Sequence, residues 1–267
     1  MADTPAPMPQ LALRREGPLA WIMADNSQRM NAFTAGMWQA LPRLVQEAEA
    51  DPAVRVIILR GSGTRAFSAG ADISEFESAR STQDAVLAYD RLNDEAFHAL
   101  TTAAKPTIAM IHGFCLGGGF GIAACCDLRI GDTKSQFAIP AVKLGLGYNG
   151  RWIRPLLALA GPPVIKELLF TGRRFTSEEA FCMGLVNRLY EVEELEEATR
   201  SLALEIAANA PLSVKAAKLA IDEMWRHPEG ADWAALDNAV RNCFESEDYA
   251  EGRRAFLEKR KPAFSGR

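Results

Sequence analysis

A chain of 267 residues with 48% hydrophobic and 24% charged residues has the balance of a globular protein, large enough for one substantial domain with an appendage. Its formal net charge of −4 argues against a nucleic-acid partner, and the longest apolar candidate, residues 108–126, is broken by His112 and five glycines, which argues against a membrane partner. Five cysteines without paired spacing give neither a disulfide framework nor a zinc motif, and the first residues carry no secretory leader, so the expected compartment is the cytoplasm.

Residues 1–10 are rich in proline and alanine and are expected to form a flexible arm. Residues 11–13 and 18–23 read as two short strands of a hairpin around Glu16-Gly17. Met37, Leu41, Leu44, Val45 and Ala48 recur at helical spacing, with Pro42 inside the pattern, where it should kink the helix or mark a new first turn. Residues 54–59 read as a buried strand ending at Arg60-Gly61. A helix is expected over 83–104, ended by Lys105-Pro106, then a buried strand over 107–111 that runs into a glycine-rich stretch, 113–121. Short strands follow at 128–130 and 136–139, and helical patterns dominate from about Arg151, apart from a segment near 185–190. Strands separated by helices indicate an α/β arrangement.

After Pro211 the character changes. Val214, Ala217, Ile221 and Trp225 form one apolar stripe, Trp233, Leu236, Val240 and Phe244 another, and a third helix is expected over 247–259. Such helices need a surface to cover, either their own core or another subunit. The expected division is therefore an arm over 1–10, a core over 11–205 and a helical oligomerisation region over 206–267.

Two strand-to-helix junctions carry the chemistry. The first is Ala66-Phe67-Ser68-Ala69-Gly70-Ala71-Asp72-Ile73. Asp72 and Glu75 have the spacing of a capping box, so a helix is expected to start there. Gly70 permits a tight turn that leaves the N–H groups near Ala71 unpaired and outward-facing. The second is Cys115-Leu116-Gly117-Gly118-Gly119-Phe120-Gly121, where three glycines let a ligand approach the main chain and the start of the next helix favours an anionic oxygen. Taken singly, either loop is explained by glycine making a turn. Nothing in the physics alone joins segments as far apart as Ala71 and Gly118.

Together, however, Ala-Phe-Ser-Ala-Gly-Ala-Asp-Ile and Gly-Phe-Cys-Leu-Gly-Gly-Gly resemble the paired oxyanion-hole motifs of the enoyl-CoA hydratase/isomerase (crotonase) superfamily. Lys105-Pro106-Thr107-Ile108-Ala109-Met110, Cys126-Asp127-Leu128-Arg129, Gly184-Leu185-Val186-Asn187 and the tail from Ser246 to Arg260 resemble its other signatures, so the likeness covers nearly the whole chain from about residue 11. The resemblance implies a crotonase (ClpP-like) spiral of ββα units followed by a C-terminal helical trimerisation region, assembled as a homotrimer or a homohexamer made of two trimers. It also implies an acyl-CoA thioester substrate, with no cofactor beyond the coenzyme A of that substrate. The oxyanion-hole donors fall at Ala71 and Gly118, and the CoA adenine against Ala69, Gly70, Asp72 and Ile73. Phe256 and Lys259 match tail residues that reach a neighbouring subunit's CoA, and Arg29 lies where a basic side chain meets the CoA phosphates. Arg29 and Lys259 read equally as solvated charges, and Phe256 as core.

The likeness breaks at the acid–base residues. The hydratases carry one glutamate where this chain has Gly121 and a second where it has Ala141, and the isomerases use the second position. Three side chains could take over. Tyr148 falls where the methylmalonyl-CoA decarboxylase branch has a similar Tyr-Asn pair, although that branch has a histidine at Ala71 and a glutamate at Gly121; Tyr148 also reads as a packing residue. Asp94 falls where the 4-chlorobenzoyl-CoA dehalogenase branch has a pocket histidine, but the nucleophilic aspartate of that branch is Asn149 here, and a mid-helix aspartate also reads as a surface charge. Glu75 is explained by capping, His112 reads as a hydrogen-bonded structural histidine, and no metal site is expected. Trp152, Phe120 and Tyr148 suggest a modest, partly aromatic acyl site. The reading is an atypical lyase or isomerase working through a thioester enolate. Its alternatives are a decarboxylase-like activity through Tyr148, or a non-catalytic acyl-CoA-binding protein. An RNA-binding role would need a basic helix, whereas residues 191–200 are acidic.

Overall fold

The chain opens with the expected hairpin. β1 (Gln10–Glu16) and β2 (Leu19–Asp25) pair antiparallel about Gly17, whose φ of +55° makes the turn. The computed structural model describes residues 8–75 and 82–267, so residues 1–7 of the expected arm lie outside the described residues. β3 (Val56–Gly61), β5 (Thr107–Ile111), β7 (Leu128–Asp132) and β10 (Arg188–Tyr190) then extend β2 in parallel, giving a six-stranded sheet in the order β1-β2-β3-β5-β7-β10.

The middle of β3, Val56–Leu59, and of β5, Ile108–Ile111, is an unbroken apolar run because both sheet faces are covered. Ile57 and Leu59 of β3, with Ala109 and Ile111 of β5, enter the main core. The alternate residues Val56, Ile58, Ile108 and Met110 enter a second cluster under the helix Leu195–Ala207, which contributes Leu195, Ala203 and Ala207.

β3, β5 and β7 are each followed within a few residues by a short strand that belongs to a second sheet. β4 (Ala66–Ser68), β6 (Phe114–Leu116) and β8 (Gln136–Ala138) run parallel, and β9 (Phe175–Thr176) closes the edge antiparallel. The chain thus climbs by one strand in each sheet and then a helix, the ββα step that the resemblance implied. β4 and β6 lie inside stretches that read from sequence only as glycine loops. Three residues are too few to show an alternating pattern.

α1 (Ala35–Ala50) is capped by Thr34, whose hydroxyl accepts from Met37 N–H, and it packs on α2 (Gln83–Thr101). It runs through Pro42 as a single helix, so the proline does not mark a new first turn. The proline costs about 3 kcal/mol. Burial of Trp38, Leu41, Leu44 and Val45 on either side, at about 1.5–3 kcal/mol for each large apolar side chain, outweighs it.

The family-like tetrapeptides turn out to be joints between turns of the spiral. The buried Arg129 guanidinium donates to the carbonyls of Cys126 (2.7 Å) and Leu185 (3.0 Å) and to the Asn187 side chain (3.1 Å). Asp127 pairs with Lys218 at 2.7 Å, and Lys105 Nζ donates to the carbonyls of Ala48 and Asp51.

The last three long helices are Pro211–Arg226, Trp233–Phe244 and Glu247–Glu258. Within one chain they leave Ile221, Trp225, Trp233, Val240, Phe244 and Phe256 exposed. Among the described residues no helix is long and apolar enough to cross a membrane.

Candidate active site

Three backbone segments meet where β4 and β6 end. Residues 30–33 lie along the first glycine loop: Ala69 N–H donates to Met30 O at 2.9 Å, Phe33 N–H to Gly70 O at 2.7 Å and Asp72 N–H to Phe33 O at 2.8 Å. Asn31 holds that segment. It is buried at φ +55°, and its amide donates to Ala66 O (2.7 Å) and Ser62 O (3.0 Å). No motif marks Asn31 in the sequence; asparagine's tolerance of left-handed backbone is the one signal that points to it.

The two glycine loops are in contact. At Gly70, with φ +96°, a Cβ would stand 2.9 Å from Leu116 O and 3.1 Å from Gly118 N. At Gly119 a Cβ would stand 2.6 Å from Ser68 O. Glycine at these positions is what lets the loops touch. Gly118 begins α3 (Gly118–Cys125), so its N–H belongs to the positive end of that helix. A Cβ built on Gly118 would lie 3.9 Å from Ala71 N, so the two amides border one space, and both residues are half-buried. Among the described residues neither the Ala71 N–H nor the Gly118 N–H donates to a protein acceptor.

Arg29 and Asp72 come together beside the first loop. Asp72 is buried, pairs with Arg29 at 3.2 Å and accepts from Ser74 N–H (3.0 Å) and Ser74 Oγ (2.7 Å). Burial alone would raise its carboxyl, but the Ser74 hydrogen bonds and the Arg29 charge bring it below the usual aspartate value. Ala69 is half-buried and Ile73 exposed on the same loop. The capping box expected at Asp72 is not formed. Glu75 Oε2 instead accepts from Ala35 N–H at 2.7 Å, in the first turn of α1. Only a 3₁₀ turn, Ile73–Glu75, is seen here, and the helical continuation expected over 76–81 lies outside the described residues.

Aromatic rings wall the other side of α3. A Cβ on Gly118 would lie 3.2 Å from the Trp38 ring, and a Cβ on Gly121 would lie 2.5 Å from Phe97 Cζ and 2.9 Å from Tyr148 Oη. The space that a side chain at position 121 would take is therefore filled. The Tyr148 hydroxyl is buried with no hydrogen-bond partner among the described residues, and burial beside Cys125 and Cys115 pushes it well above the usual phenol range. The Tyr148 ring sits edge-on to Trp152 at 5.6 Å, on α4 (Gly150–Leu159), and the Trp152 indole donates to Asp94 at 2.7 Å. The other Asp94 oxygen accepts from Arg151 at 2.8 Å, so Asp94 reaches the site through Trp152. Phe120, expected in the acyl wall, packs wholly into the core against Phe137 instead, because it points to the opposite side of α3. Trp38 and Phe97 take that place.

The remaining candidates stand apart. His112 is buried, with Nδ1 3.0 Å from Asp132, as a structural histidine would be. Ala141 is half-buried against the core. Phe256 is 84% exposed, and Lys259, in left-handed conformation at the end of the last helix, is exposed with no ammonium partner among the described residues.

Comparison with known proteins gives a consistent result. The pattern of the enoyl-CoA hydratase/isomerase family matches residues 14–267. The chain is 34% identical over 251 residues to a short-chain-enoyl-CoA hydratase of Clostridium acetobutylicum, covering 93% of this chain and 95% of that one. It is 38% identical over 255 residues to a methylmalonyl-CoA decarboxylase of Escherichia coli, again covering 93% and 95%. The crystal structure of an enoyl-CoA hydratase/carnithine racemase from Magnetospirillum magneticum superposes with a TM-score of 0.93 at 35% identity, over 98% of this chain and 97% of that one.

Proposed function

The chain belongs to the enoyl-CoA hydratase/isomerase family, and on that premise we propose that it binds an acyl-CoA thioester and stabilises the enolate of that thioester between the N–H groups of Ala71 and Gly118. The observation that carries this reading is the pair of amides bordering one half-buried space with no protein acceptor among the described residues, one of them at a helix N-terminus. Forming an enolate puts negative charge on the thioester oxygen, and each fixed donor aimed at it is worth about 2.7–4 kcal/mol of barrier.

In this reading Arg29 and the loop residues Ala69, Gly70, Asp72 and Ile73 hold the CoA moiety. Phe256 and Lys259 complete the site from a second copy in a homotrimer or homohexamer, built by the helices after Pro211, and no cofactor is needed besides the coenzyme A of the substrate. The exposed apolar stripes on those helices support such an assembly. With Gly121 and Ala141 at the hydratase glutamate positions, the acid–base work falls to Tyr148: its neutral hydroxyl gives a proton to the enolate carbon and becomes phenolate, and in the reverse direction that phenolate takes the α-proton, with Asp94 positioning the ring through Trp152. The chain acts in the cytoplasm as a lyase or isomerase of atypical type.

A second reading has its own observation. A buried neutral hydroxyl with no carboxylate at position 121 suits decarboxylation, in which loss of carbon dioxide itself generates the enolate and the site has only to stabilise and protonate it. The test is solvent deuterium exchange at the α-carbon of bound butyryl-CoA, in wild type, Tyr148→Phe and Asp94→Asn. Exchange above the solution rate, lost in Tyr148→Phe, is the expected result. Binding without exchange, together with turnover of a malonyl-type thioester, would favour decarboxylation. Binding with no turnover of any thioester would leave a non-catalytic acyl-CoA-binding protein and sink the enolate reading.

A further inference from the structure

The wall behind the two N–H groups is rigid. Phe97 is buried between two indoles, with ring centroids 6.0 Å from Trp38 and 6.0 Å from Trp152, edge-on to both. Neither indole is free to move aside. The Trp38 N–H donates to Tyr89 Oη at 3.0 Å and the Trp152 N–H to Asp94 at 2.7 Å. Phe97 therefore cannot swing out without breaking aromatic packing against side chains that are themselves tied down by hydrogen bonds.

In the acyl-CoA reading, a chain that starts at the Gly118 N–H and follows α3 would meet this ring. From Gly118, whose N–H faces the carbonyl oxygen in the reading above, to Gly121, where the Phe97 edge and the Tyr148 hydroxyl meet the helix, is three residues of α3. That is about 4.5 Å along the helix axis, the reach of about four carbons. Gly121 adds no side chain to that space, yet Phe97 leaves no room there even for a Cβ.

We propose that Phe97 sets the length of acyl chain this site accepts, closing it to groups much longer than four carbons. The inference rests on the acyl-CoA reading, and binding measurements separate the two because they do not depend on which reaction is catalysed. Dissociation constants for butyryl-, octanoyl- and dodecanoyl-CoA are measured by calorimetry on wild type, Phe97→Ala, Phe97→Leu and, as a buried-phenylalanine control in β9 of the second sheet, Phe175→Leu. Wild type should gain nothing from butyryl to octanoyl. Phe97→Ala should bind octanoyl-CoA at least about tenfold more tightly than butyryl-CoA, since two newly buried methylenes are worth about that much. Phe97→Leu should shift the same way by less and carries the test if the alanine variant does not fold. The control should keep the wild-type profile. A wild type that already gains with chain length, Phe97 variants that do not shift, or a control that shifts as much would overturn the chain-length role while leaving acyl-CoA binding intact. Failure of every acyl-CoA to bind would overturn the acyl-CoA reading, and the role of Phe97 with it.

Discussion

Replacing Tyr148 by phenylalanine separates a working hydroxyl from a packing one, because the structure sets stability and activity against each other there. The phenol oxygen is buried, has no hydrogen-bond partner among the described residues and lies 2.9 Å from the position a Cβ on Gly121 would take. A buried hydroxyl left unpaired costs about 1–3 kcal/mol, so deleting it should stabilise the fold by about 1 kcal/mol, or about 2 °C in melting temperature for a chain of this size. If the same hydroxyl handles the substrate proton, its loss should slow turnover by about 10²–10⁴-fold. Burial holds the folded phenol above its ordinary value of 10.0, so above pH 10 the unfolded chain releases a proton that the folded chain keeps. The contribution of Tyr148 to stability is therefore constant below pH 10 and turns against the fold as pH rises beyond it. The melting-temperature advantage of Tyr148→Phe should widen above pH 10 and stay flat below. The assay is a thermal melt of both proteins across pH 7–11, beside α-proton exchange on butyryl-CoA at pH 7.5. A variant that melts lower yet exchanges as fast as wild type would refute both halves of the argument.

Gly121→Glu restores a hydratase-type residue into space that Phe97 Cζ and Tyr148 Oη already fill, so it should destabilise the fold by about 1–3 kcal/mol without conferring hydration of crotonyl-CoA; hydration at an unchanged melting temperature would contradict the geometry. Gly70→Ala, at φ +96° with a Cβ 2.9 Å from Leu116 O, should separate the two loops and abolish exchange, with a drop of about 1–3 kcal/mol in stability read by denaturant titration. Asp94→Asn keeps an acceptor for the Trp152 indole and loses the pair with the exposed Arg151, so it should cost less than about 1 kcal/mol and leave exchange within about threefold of wild type. Light scattering at micromolar concentration should return a trimer or twice that mass, and a monomer would leave the apolar stripes after Pro211 without an explanation.

How much of this was legible in the sequence depended on whether a constraint was local. The central strands could be read because coverage of both faces demands an unbroken apolar run, as at Ile57–Ile58–Leu59. The glycine loops could be read for the same reason, since a backbone that must turn or approach another backbone closely writes itself as glycine at Gly70 and Gly119. Glu75 misled because its spacing from Asp72 satisfies a local rule while its actual partner, the Ala35 amide, is 40 residues away. β4 and β6 were invisible as strands because three residues carry no period, and what stabilises them is the sheet they join rather than their own pattern.

The same distinction explains why the family could be identified more readily than the reaction. In the proposed reading charge stabilisation is the work of backbone amides, and what the sequence must supply for them is the absence of side chains at a few positions. Acid–base chemistry and substrate fit are the work of side chains that come from elsewhere. Trp38 lies on α1 and Phe97 on α2, where each reads as an ordinary apolar position facing a core, and Tyr148 lies just before α4. What marks Phe97 is that its ring edge, with the Tyr148 hydroxyl beside it, fills the place of a side chain at Gly121. The loss of a side chain at 121 and the presence of a ring at 97 form one arrangement, since the ring occupies the volume that a glutamate would need. If position 121 is where the hydratases carry a glutamate, as the proposed reading has it, catalysis of the hydratase kind would require changes at both positions together.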